Sequence, residues 1–269
     1  MHLGVPRTTL VFLLLFGSIL NAQGTQKLEF EDSRPITFLN LNFRNCRPYG
    51  TSEVENYAGY YRRMQQFIAK IHELKPDIMA LQEVSNCWFG AEKIWVKTGD
   101  IIAANTGMAH RHWISEGVKG VWEEGLGFFW NPERVKFGNI QCRHLQTTRY
   151  KGPLKIVKSL CRGTLTLPDD QVLHIYQTHL DTSERYSRHQ IQEALGIINF
   201  QPDREDQIIL AGDFNLTAAR PPIELLRQAG FDIAVKDKID YIFSRNLKVK
   251  PSAWILDFKS DGTSDHNGL

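Results

Sequence analysis

The chain has 269 residues, of which 42% are hydrophobic and 23% charged, a balance that is ordinary for a globular protein. This length suits one large α/β domain or two small ones. The formal net charge of only +2 excludes a chain-wide surface for polyanions, so charge has to be interpreted locally.

The first 22 residues have the order of features of a signal peptide. Arg7 supplies a positive charge, residues 11–20 are mostly apolar, and small residues surround a possible cleavage point at residues 22–24. The apolar run is too short to span a bilayer as a helix. We therefore expect a secreted or periplasmic protein. No repeat or linker interrupts residues 23–269, which predicts a single domain there.

The predicted elements begin with a strand, a helix and a second strand. Residues 36–41 are largely apolar and partly β-branched, which predicts a strand. Residues 60–74 have apolar side chains at helical spacing, and Pro76 follows as a stop signal. Residues 77–82 predict a short, buried strand. This order implies a right-handed crossover between two parallel strands.

The later segments are mainly strand-like. Strands are predicted at residues 127–130, 163–167, 172–178, 207–211, 239–243 and 253–256. Helices are predicted at residues 183–200 and from Pro221 until Gly230. The mixture predicts an α/β sandwich whose loops gather at one edge.

Polar side chains recur at the ends of these strands, where an α/β sheet presents its catalytic groups. A buried Asn or an ion-paired Glu explains any one of them, but six such fragments in one order form a specific pattern. The residues are Asn42 in FLNLNFRN, Glu83 in IMALQEVSN, His179 in YQTHLD, Asp213 and Asn215 in GDFN, Asp240 in KIDYIF, and Asp265 with His266 in SDHNG.

This ordered set resembles the endonuclease/exonuclease/phosphatase superfamily, which includes deoxyribonuclease-I-like nucleases, neutral sphingomyelinases and inositol polyphosphate phosphatases. The resemblance extends from about residue 36 to the last residue. It implies a four-layer α/β sandwich, in which two packed mixed β-sheets are flanked by helices. It also implies metal-dependent hydrolysis of phosphoric ester bonds. The chain ends three residues after His266, so we expect the last strand of the family to be truncated.

The resemblance implies a site for Mg²⁺, for which Mn²⁺ would substitute. Glu83 is implied as a ligand, because Mg²⁺ binds through one or two hard carboxylates and keeps several waters. Asn42 is implied to help bind that ion or to hold the phosphate, and Asp265 is implied as a further metal-binding residue.

The resemblance also implies which groups move protons. His179 and His266 are implied as the acid and base pair, and Asp240 as the carboxylate that orients His266. Asp213 and Asn215 alternate across one residue, so on extended backbone they would point to one side. There they would orient the attacking water and contact the phosphate.

Three further positions match the family less closely. Glu124 is placed where nucleases keep a carboxylate that orients the other histidine, here His179. Trp122 is placed where an aromatic side chain often stacks on substrate, and Arg162 matches an arginine that contacts phosphate. Each also has a plain structural explanation: a solvated glutamate, a core tryptophan and a surface arginine.

The substrate stays open between two classes. Residues 134–168 contain eight Lys and Arg without Asp or Glu, which suits a nucleic-acid backbone, an anionic membrane or simply a solvated hairpin. Trp88 and Phe89 suit base stacking, a lipid interface or the core. We rank a nuclease for DNA or RNA first and a sphingomyelinase-like lipid phosphodiesterase second. An inert binding or toxin-subunit module fits poorly, because all site residues are present. We expect a monomer without an obligate protein partner.

Four cysteines allow three pairings, and export favours disulfides. If Asn42 and Glu83 meet at one metal site, Cys46 and Cys87 each lie four residues beyond that point. Cys142 and Cys161 flank the basic run and would face each other across an antiparallel pair. We therefore predict bridges Cys46–Cys87 and Cys142–Cys161.

Overall fold

A computed structural model describes residues 35–46, 55–152, 154–167, 170–200, 207–247, 255–260 and 262–269. These residues belong to one structural unit, Arg34–Leu269. The predicted signal peptide and the boundary after residue 22 lie outside the described residues. Within the described ranges, no helix has the length and apolar character that crossing a membrane requires.

The described residues form strands and helices that alternate along much of the chain. In chain order they are β1 (Phe38–Asn42), α1 (Tyr57–Leu74), β2 (Ile78–Phe89), β3 (Ile94–Lys97), α2 (Thr98–Thr106), β4 (Ala109–Val118), β5 (Trp122–Trp130), β6 (Lys136–His144), β7 (Arg149–Lys151), β8 (Leu154–Ile156), β9 (Ser159–Thr166), β10 (Val172–His179), α3 (Glu184–Asn199), β11 (Gln207–Asp213), α4 (Pro221–Gln228), β12 (Asp232–Asp237) and β13 (Asp240–Arg245).

The strands form two mixed sheets and a separate hairpin. The first sheet has the order β1-β2-β5-β4, with β3 also paired to β2, and the second has the order β12-β13-β11-β10-β9-β6. The pairs β1–β2 and β10–β11 are parallel, and the other pairs are antiparallel. Strands β7 and β8 form a separate two-stranded sheet. The predicted fold class, with two mixed sheets flanked by helices, is confirmed.

Alternating side chains of β2 show how the layers pack. Met79 and Leu81 belong to a core cluster that includes the buried face of α1, whereas Ile78 and Ala80 belong to the cluster between the two sheets. Because successive side chains of a strand point to opposite faces, an almost continuous apolar run can serve both layers. Strand β11 alternates in the same way between the inter-sheet core and the cluster that includes α3 and α4.

The predicted strand–helix–strand unit is confirmed, but its second strand is longer than predicted. The prediction ended this strand at residue 82, whereas β2 continues to Phe89. The register against β5 shifts between Leu81 and Val84, and Glu83 has a φ of 56°. This β-bulge turns the Glu83 side chain out of the regular alternation and lets the strand resume beyond it. Glu83 therefore lies within a strand rather than at its end.

The C-terminal segment is only partly strand-like. Of the strand predicted at residues 253–256, Leu256 forms an isolated bridge with Gly268, and residues 253–254 lie outside the described residues. Leu269 exchanges two backbone hydrogen bonds with Asn40 of β1. These bonds place the segment that carries His266 beside β1.

Both predicted disulfides are confirmed. Cys46 and Cys87 are bridged with their Cα atoms 6.4 Å apart, and Cys142 and Cys161 are bridged with a Cα separation of 4.0 Å. Cys142 and Cys161 are direct register partners in the antiparallel pair of β6 and β9. The second bridge therefore joins β6 and β9, the two strands on either side of the middle of the basic run.

His112 makes folding sensitive to acid. Its Nε2 lies 2.9 Å from the carbonyl oxygen of Val84, next to the bulge, and burial lowers its pKa from 6.5 to about 4. Below pH 6.5 the His112 ring therefore takes up a proton in the unfolded chain but stays neutral in the folded protein. Proton uptake by the unfolded chain lowers the free energy of unfolding progressively as the pH falls from 6.5 towards 4. For His112→Gln, we expect about 2 kcal/mol less loss of unfolding free energy between pH 7 and pH 5. Urea unfolding at both pH values measures it; an unchanged pH slope would contradict the assignment.

Candidate active site

Three of the predicted catalytic residues are neighbours across adjacent strands of the second sheet. His179 ends β10, Asp213 ends β11, and Asp240 begins β13. His179 is the register partner of Asp213, and Asp213 is the register partner of Asp240. Since β13 runs antiparallel to β11, its first residue reaches the edge at which the other two strands end.

Asp213 lies at the centre of the group that this edge assembles. Its Oδ2 is 3.7 Å from Nε2 of His179 and 3.8 Å from Nε2 of His266. The same oxygen accepts a hydrogen bond of 3.0 Å from Nδ2 of Asn42, which ends β1 of the other sheet. Burial and the charge of Asp240 raise the pKa of Asp213 to about 7. The site therefore lies between the two sheets and contains a carboxylate with both histidines near one oxygen.

His266 is held as a cation. Its Nδ1 lies 2.7 Å from Oδ2 of Asp240, as expected for the orienting pair. Burial opposes the charged ring, but the hydrogen bond and charge of Asp240, with Asp213 and Asp265, outweigh it and raise the pKa of His266 to about 9. Ser264 Oγ accepts the His266 N–H and donates to the carbonyl oxygen of Asn42. This serine ties the histidine to β1.

His179 has the opposite electrostatic environment. Burial lowers its pKa well below the ordinary value, and the charges of Lys158 and His266 lower it further. At neutral pH one histidine of the pair is therefore neutral and the other charged, although both flank Asp213. Two histidines whose pKa values are shifted in opposite directions are suited to different roles in proton transfer.

Asn45, which was not among the predicted site residues, links the carboxylates of Glu83 and Glu124 on the other side of the site. Its backbone N–H donates to Oε2 of Glu83 at 3.0 Å, and its Nδ2 donates to Oε2 of Glu124 at 2.6 Å. Asn42 Nδ2 also donates to Oε1 of Glu83 at 3.0 Å. Asn45 follows Asn42 by only three residues, but its role depends on the bulge at Glu83, which no sequence pattern revealed.

Arg63 of α1 fixes the loop that carries Asn45. Its guanidinium donates to the carbonyl oxygens of Phe43, Arg44 and Asn45 at 3.0–3.2 Å. Glu55 forms an ion pair with the same guanidinium at 2.7 Å. A buried arginine with this many acceptors holds the loop in one conformation, so that the N–H of Asn45 stays aimed at Glu83.

Glu124 lies in the site, but its nearest described partner is not the predicted one. Its carboxylate accepts from Asn45, and it lines a small cavity together with His179 and Lys158. Burial and the charge of Glu83 raise the pKa of Glu124 well above its ordinary value. Glu124 and His179 thus line the same cavity, and the predicted role of Glu124 in orienting His179 stays a prediction.

Asn215 differs from the geometry expected for it. The strand ends at Asp213, and Asn215 has a φ of 54°, so the backbone is not extended between them. Its N–H donates to Oδ1 of Asp213 at 2.8 Å, and its Nδ2 donates to the carbonyl oxygen of Leu180 at 2.9 Å. Asparagine tolerates this left-handed conformation and closes such turns. Asn215 thus braces Asp213 and the residue after His179, and its predicted phosphate contact stays a prediction.

The remaining predicted residues lie farther from the Asp213 cluster or at its margin. Arg162 Nη2 lies 2.9 Å from a ring nitrogen of His174, five residues before His179, so this contact does not support a role at the phosphate. Trp122 is partly buried beside the first core cluster. Asp265 is exposed, and its charge acts on the neighbouring His266. Their predicted roles stay predictions.

The comparisons with known proteins identify the family of the chain. The family model described as "Endonuclease/Exonuclease/phosphatase family" matches residues 38–266. The chain belongs to the endonuclease/exonuclease/phosphatase family. Members of this family are hydrolases of phosphoester bonds that typically use a divalent metal ion. No curated protein compared with the chain matches it.

Several solved structures have the same fold. An endonuclease/exonuclease/phosphatase family protein from Leptotrichia buccalis has a TM-score of 0.65 and 16% identity, covering 87% of this chain and 97% of its own. The human Nocturnin catalytic domain with bound sulfate has a TM-score of 0.64 and 18% identity, covering 87% and 92%. A mannosyl-6-phosphatase from Bacteroides thetaiotaomicron has a TM-score of 0.58 and 13% identity, covering 87% and 97%. At these identities the likeness establishes the fold alone.

The donor set fits the divalent ion of the endonuclease/exonuclease/phosphatase family. Glu83 and Asp213 both accept from Nδ2 of Asn42, so two hard carboxylate ligands lie close together beside one side chain. Asp213, Asp240 and His266 also place ligand atoms within 4.8 Å of one another. In that second set, however, Nδ1 of His266 is engaged with Asp240 and the ring is cationic, which opposes metal binding. The predicted metal-binding roles of Glu83 and Asn42 stay predictions.

Asn45→Ala tests how much the amide of Asn45 stabilises the buried carboxylate of Glu124. The change leaves the buried Glu124 without an amide donor, and we expect about 1–3 kcal/mol less unfolding free energy, measured with urea. Asn86→Ala is the matched control, because Asn86 Nδ2 donates to the partly exposed Glu123 at 3.2 Å in the same sheet. An equal or greater loss in the control would mean that the Asn45 contact has no special weight.

Proposed function

We propose that the protein is an exported, divalent-metal-dependent phosphodiester hydrolase. The observation that carries this proposal is the position of Asp213 Oδ2, which lies within 4 Å of both histidine Nε2 atoms and accepts from the Asn42 amide. Phosphodiester hydrolysis needs an activated water, a proton for the leaving oxygen and positive charge near the phosphate. The two disulfides fit an oxidising compartment, which supports export.

The residues divide the proton transfers between them. Asp213 Oδ2 would hold and orient the attacking water, with the neutral Nε2 of His179 beside it as a proton acceptor. The cationic His266, oriented by Asp240, would contact the phosphate and give its Nε2 proton to the leaving oxygen. The metal ion, held by Glu83 and Asn42, would supply positive charge over the phosphate.

Metal removal tests the first half of the proposal. We expect EDTA to abolish hydrolysis of a chromogenic phosphodiester, and Mg²⁺ or Mn²⁺ to restore it, because Glu83 and Asn42 alone carry no positive charge. Glu83→Gln should need much more Mg²⁺ for half-maximal activity. Full turnover in a rigorously metal-free sample would refute the assignment.

Replacing the histidines tests the second half. His179→Ala and His266→Ala should each reduce turnover about 10²-fold or more, since general acid and base groups contribute on that scale. Asp240→Asn should cause a milder loss than His266→Ala. His189 is exposed on α3, so His189→Ala serves as the control for generic damage. Wild-type turnover in either site variant would remove that histidine from the mechanism.

A nucleic-acid substrate is favoured by the hairpin of β7 and β8. Nε of Arg149 lies 3.1 Å from Oδ2 of the buried Asp181, two residues after His179, which anchors the hairpin beside the site. Tyr150 is 69% exposed and Lys155 is also exposed. An aromatic ring and a cation next to a phosphodiester site suit base stacking and contact with a nucleic-acid backbone.

Only part of the basic run is available for such contacts. Arg134 is paired with Asp77 at 3.0 Å, and Lys158 is buried and paired with Glu116 at 2.7 Å. Some charges of this run therefore balance nearby carboxylates instead of facing solvent. The exposed Lys155 is therefore a better position for a charge reversal than Arg134 or Lys158.

Lys155→Glu tests the nucleic-acid assignment. At 50–150 mM salt, we expect the variant to cleave DNA or RNA about tenfold more slowly than the wild-type protein, because an attraction to the nucleic-acid backbone becomes a repulsion. Hydrolysis of a small chromogenic phosphodiester should not change. The control is Lys75→Glu, an exposed lysine at the other end of the sheet, after α1. Equal losses on both substrates would point to structural damage and against the proposed contact.

A lipid phosphodiesterase is the second candidate, and one exposed apolar patch favours it. Trp88 is 43% exposed, whereas Phe89 is buried. Val118 and Val121 of the neighbouring β4–β5 turn are 44% and 50% exposed, and the Trp88 N–H donates to the Val121 carbonyl oxygen. Such a patch can enter a lipid interface.

One substrate panel separates the candidates. With Mg²⁺ present, the protein is tested on duplex DNA, single-stranded RNA, sphingomyelin vesicles and phosphoinositides. We expect cleavage of nucleic acid. Turnover of sphingomyelin vesicles alone, reduced by Trp88→Ala, would instead establish the lipid assignment.

A further inference from the structure

Two glutamates of the first sheet lie directly opposite each other. In the antiparallel pair of β4 and β5, Glu116 is the register partner of Glu124. Cβ atoms at such positions are about 4.5–5.5 Å apart, and like charges there are destabilising. Glu83 adds a third negative charge close enough to act on Glu124. A positive charge close to these carboxylates would offset the repulsion between them.

Lys158, immediately before β9, supplies that charge. Its Nζ lies 2.7 Å from Oε1 of Glu116, and its side chain is only 8% exposed. Its ammonium also interacts with Glu124 and, more weakly, with Glu83, and these charges outweigh burial and raise the pKa of Lys158. Lys158, Glu116, Glu124 and His179 line one cavity. The lysine therefore lies inside the candidate site, not on the protein surface.

Many phosphoryl-transfer sites hold a pair of divalent ions about 3.5–4 Å apart. We propose that Lys158 is a fixed counter-charge in the place of a second divalent ion among Glu83, Glu116 and Glu124, so that the centre binds one ion at Glu83 and Asn42. The inference rests on the proposed function, because it takes Glu83 as the ligand of that one ion.

The contacts of Asn45 connect the counter-charge to the metal ligand. Glu124 accepts from the Asn45 side chain, and Glu83 accepts from the Asn45 backbone N–H. Asn45 therefore links Glu124, which lines the cavity with Lys158, to the proposed metal ligand Glu83. Removing the ammonium leaves excess negative charge near the ion, and removing Glu116 leaves excess positive charge. The two changes should therefore shift metal affinity in opposite directions, whereas two merely structural lesions would both weaken it.

Binding of Mn²⁺ to the folded protein without substrate tests the inference. Equilibrium dialysis should give one Mn²⁺ per wild-type chain and two per Lys158→Met chain, because the vacated carboxylates then bind a second ion. Lys158→Met combined with Glu116→Gln should return to one, and Lys158→Arg should stay at one. Glu116→Gln alone should weaken the single site about tenfold, since the charge of Lys158 is then less compensated.

The outcomes distinguish this inference from the proposed function. Two ions on the wild-type chain, or one ion with unchanged affinity on Lys158→Met, would overturn the role of Lys158. If Lys158→Met does not fold, unchanged Mn²⁺ affinity in Glu116→Gln would overturn it equally. A wild-type chain whose Mn²⁺ binding is absent, or is unaffected by Glu83→Gln, would remove the metal role of Glu83 and with it both proposals.

Discussion

Burial of several carboxylates between two sheet edges is the constraint on which the rest of this structure depends. An isolated buried carboxylate is costly, and neighbouring ones repel each other as well. Asp213 is satisfied by Asn42 and by the backbone of Asn215, and Glu83 by Asn42 and Asn45. Asn42 and Asn45 each donate to two carboxylates, so the end of β1 and the loop after it are held by these contacts.

The sandwich arrangement brings these groups together by joining two parallel strand pairs at one place. In each sheet one such pair, β1–β2 or β10–β11, carries polar residues of the site. The Asn42 amide connects the two pairs, because it contacts Glu83 in its own sheet and Asp213 in the other. The electrostatic asymmetry of the two histidines then follows from their surroundings, with a carboxylate partner for His266 and a lysine near His179.

The sequence predicted the parts of the fold that local patterns encode. The first strand and helix and both disulfides are confirmed, because each depends on periodicity or on short offsets from strand ends. The contact between Asp240 and His266 was implied by the family resemblance and not by any local pattern. Asn45 and Lys158 were not predicted as site residues. Their roles depend on the bulge at Glu83 and on the β4–β5 register, which are set by pairing between distant segments and leave no local signal.

The bridge between Cys46 and Cys87 has a consequence for how the chain folds. The crossover that it spans, 41 residues in sequence, joins the parallel strands β1 and β2. Parallel pairing is slow because the entropy cost of closing a long loop comes before the stabilising contacts between the strands form. In the chain-entropy account, a bridge of this span removes about 4 kcal/mol of that disorder from the unfolded chain. An oxidised chain therefore starts its search with the two metal-side strand ends already joined.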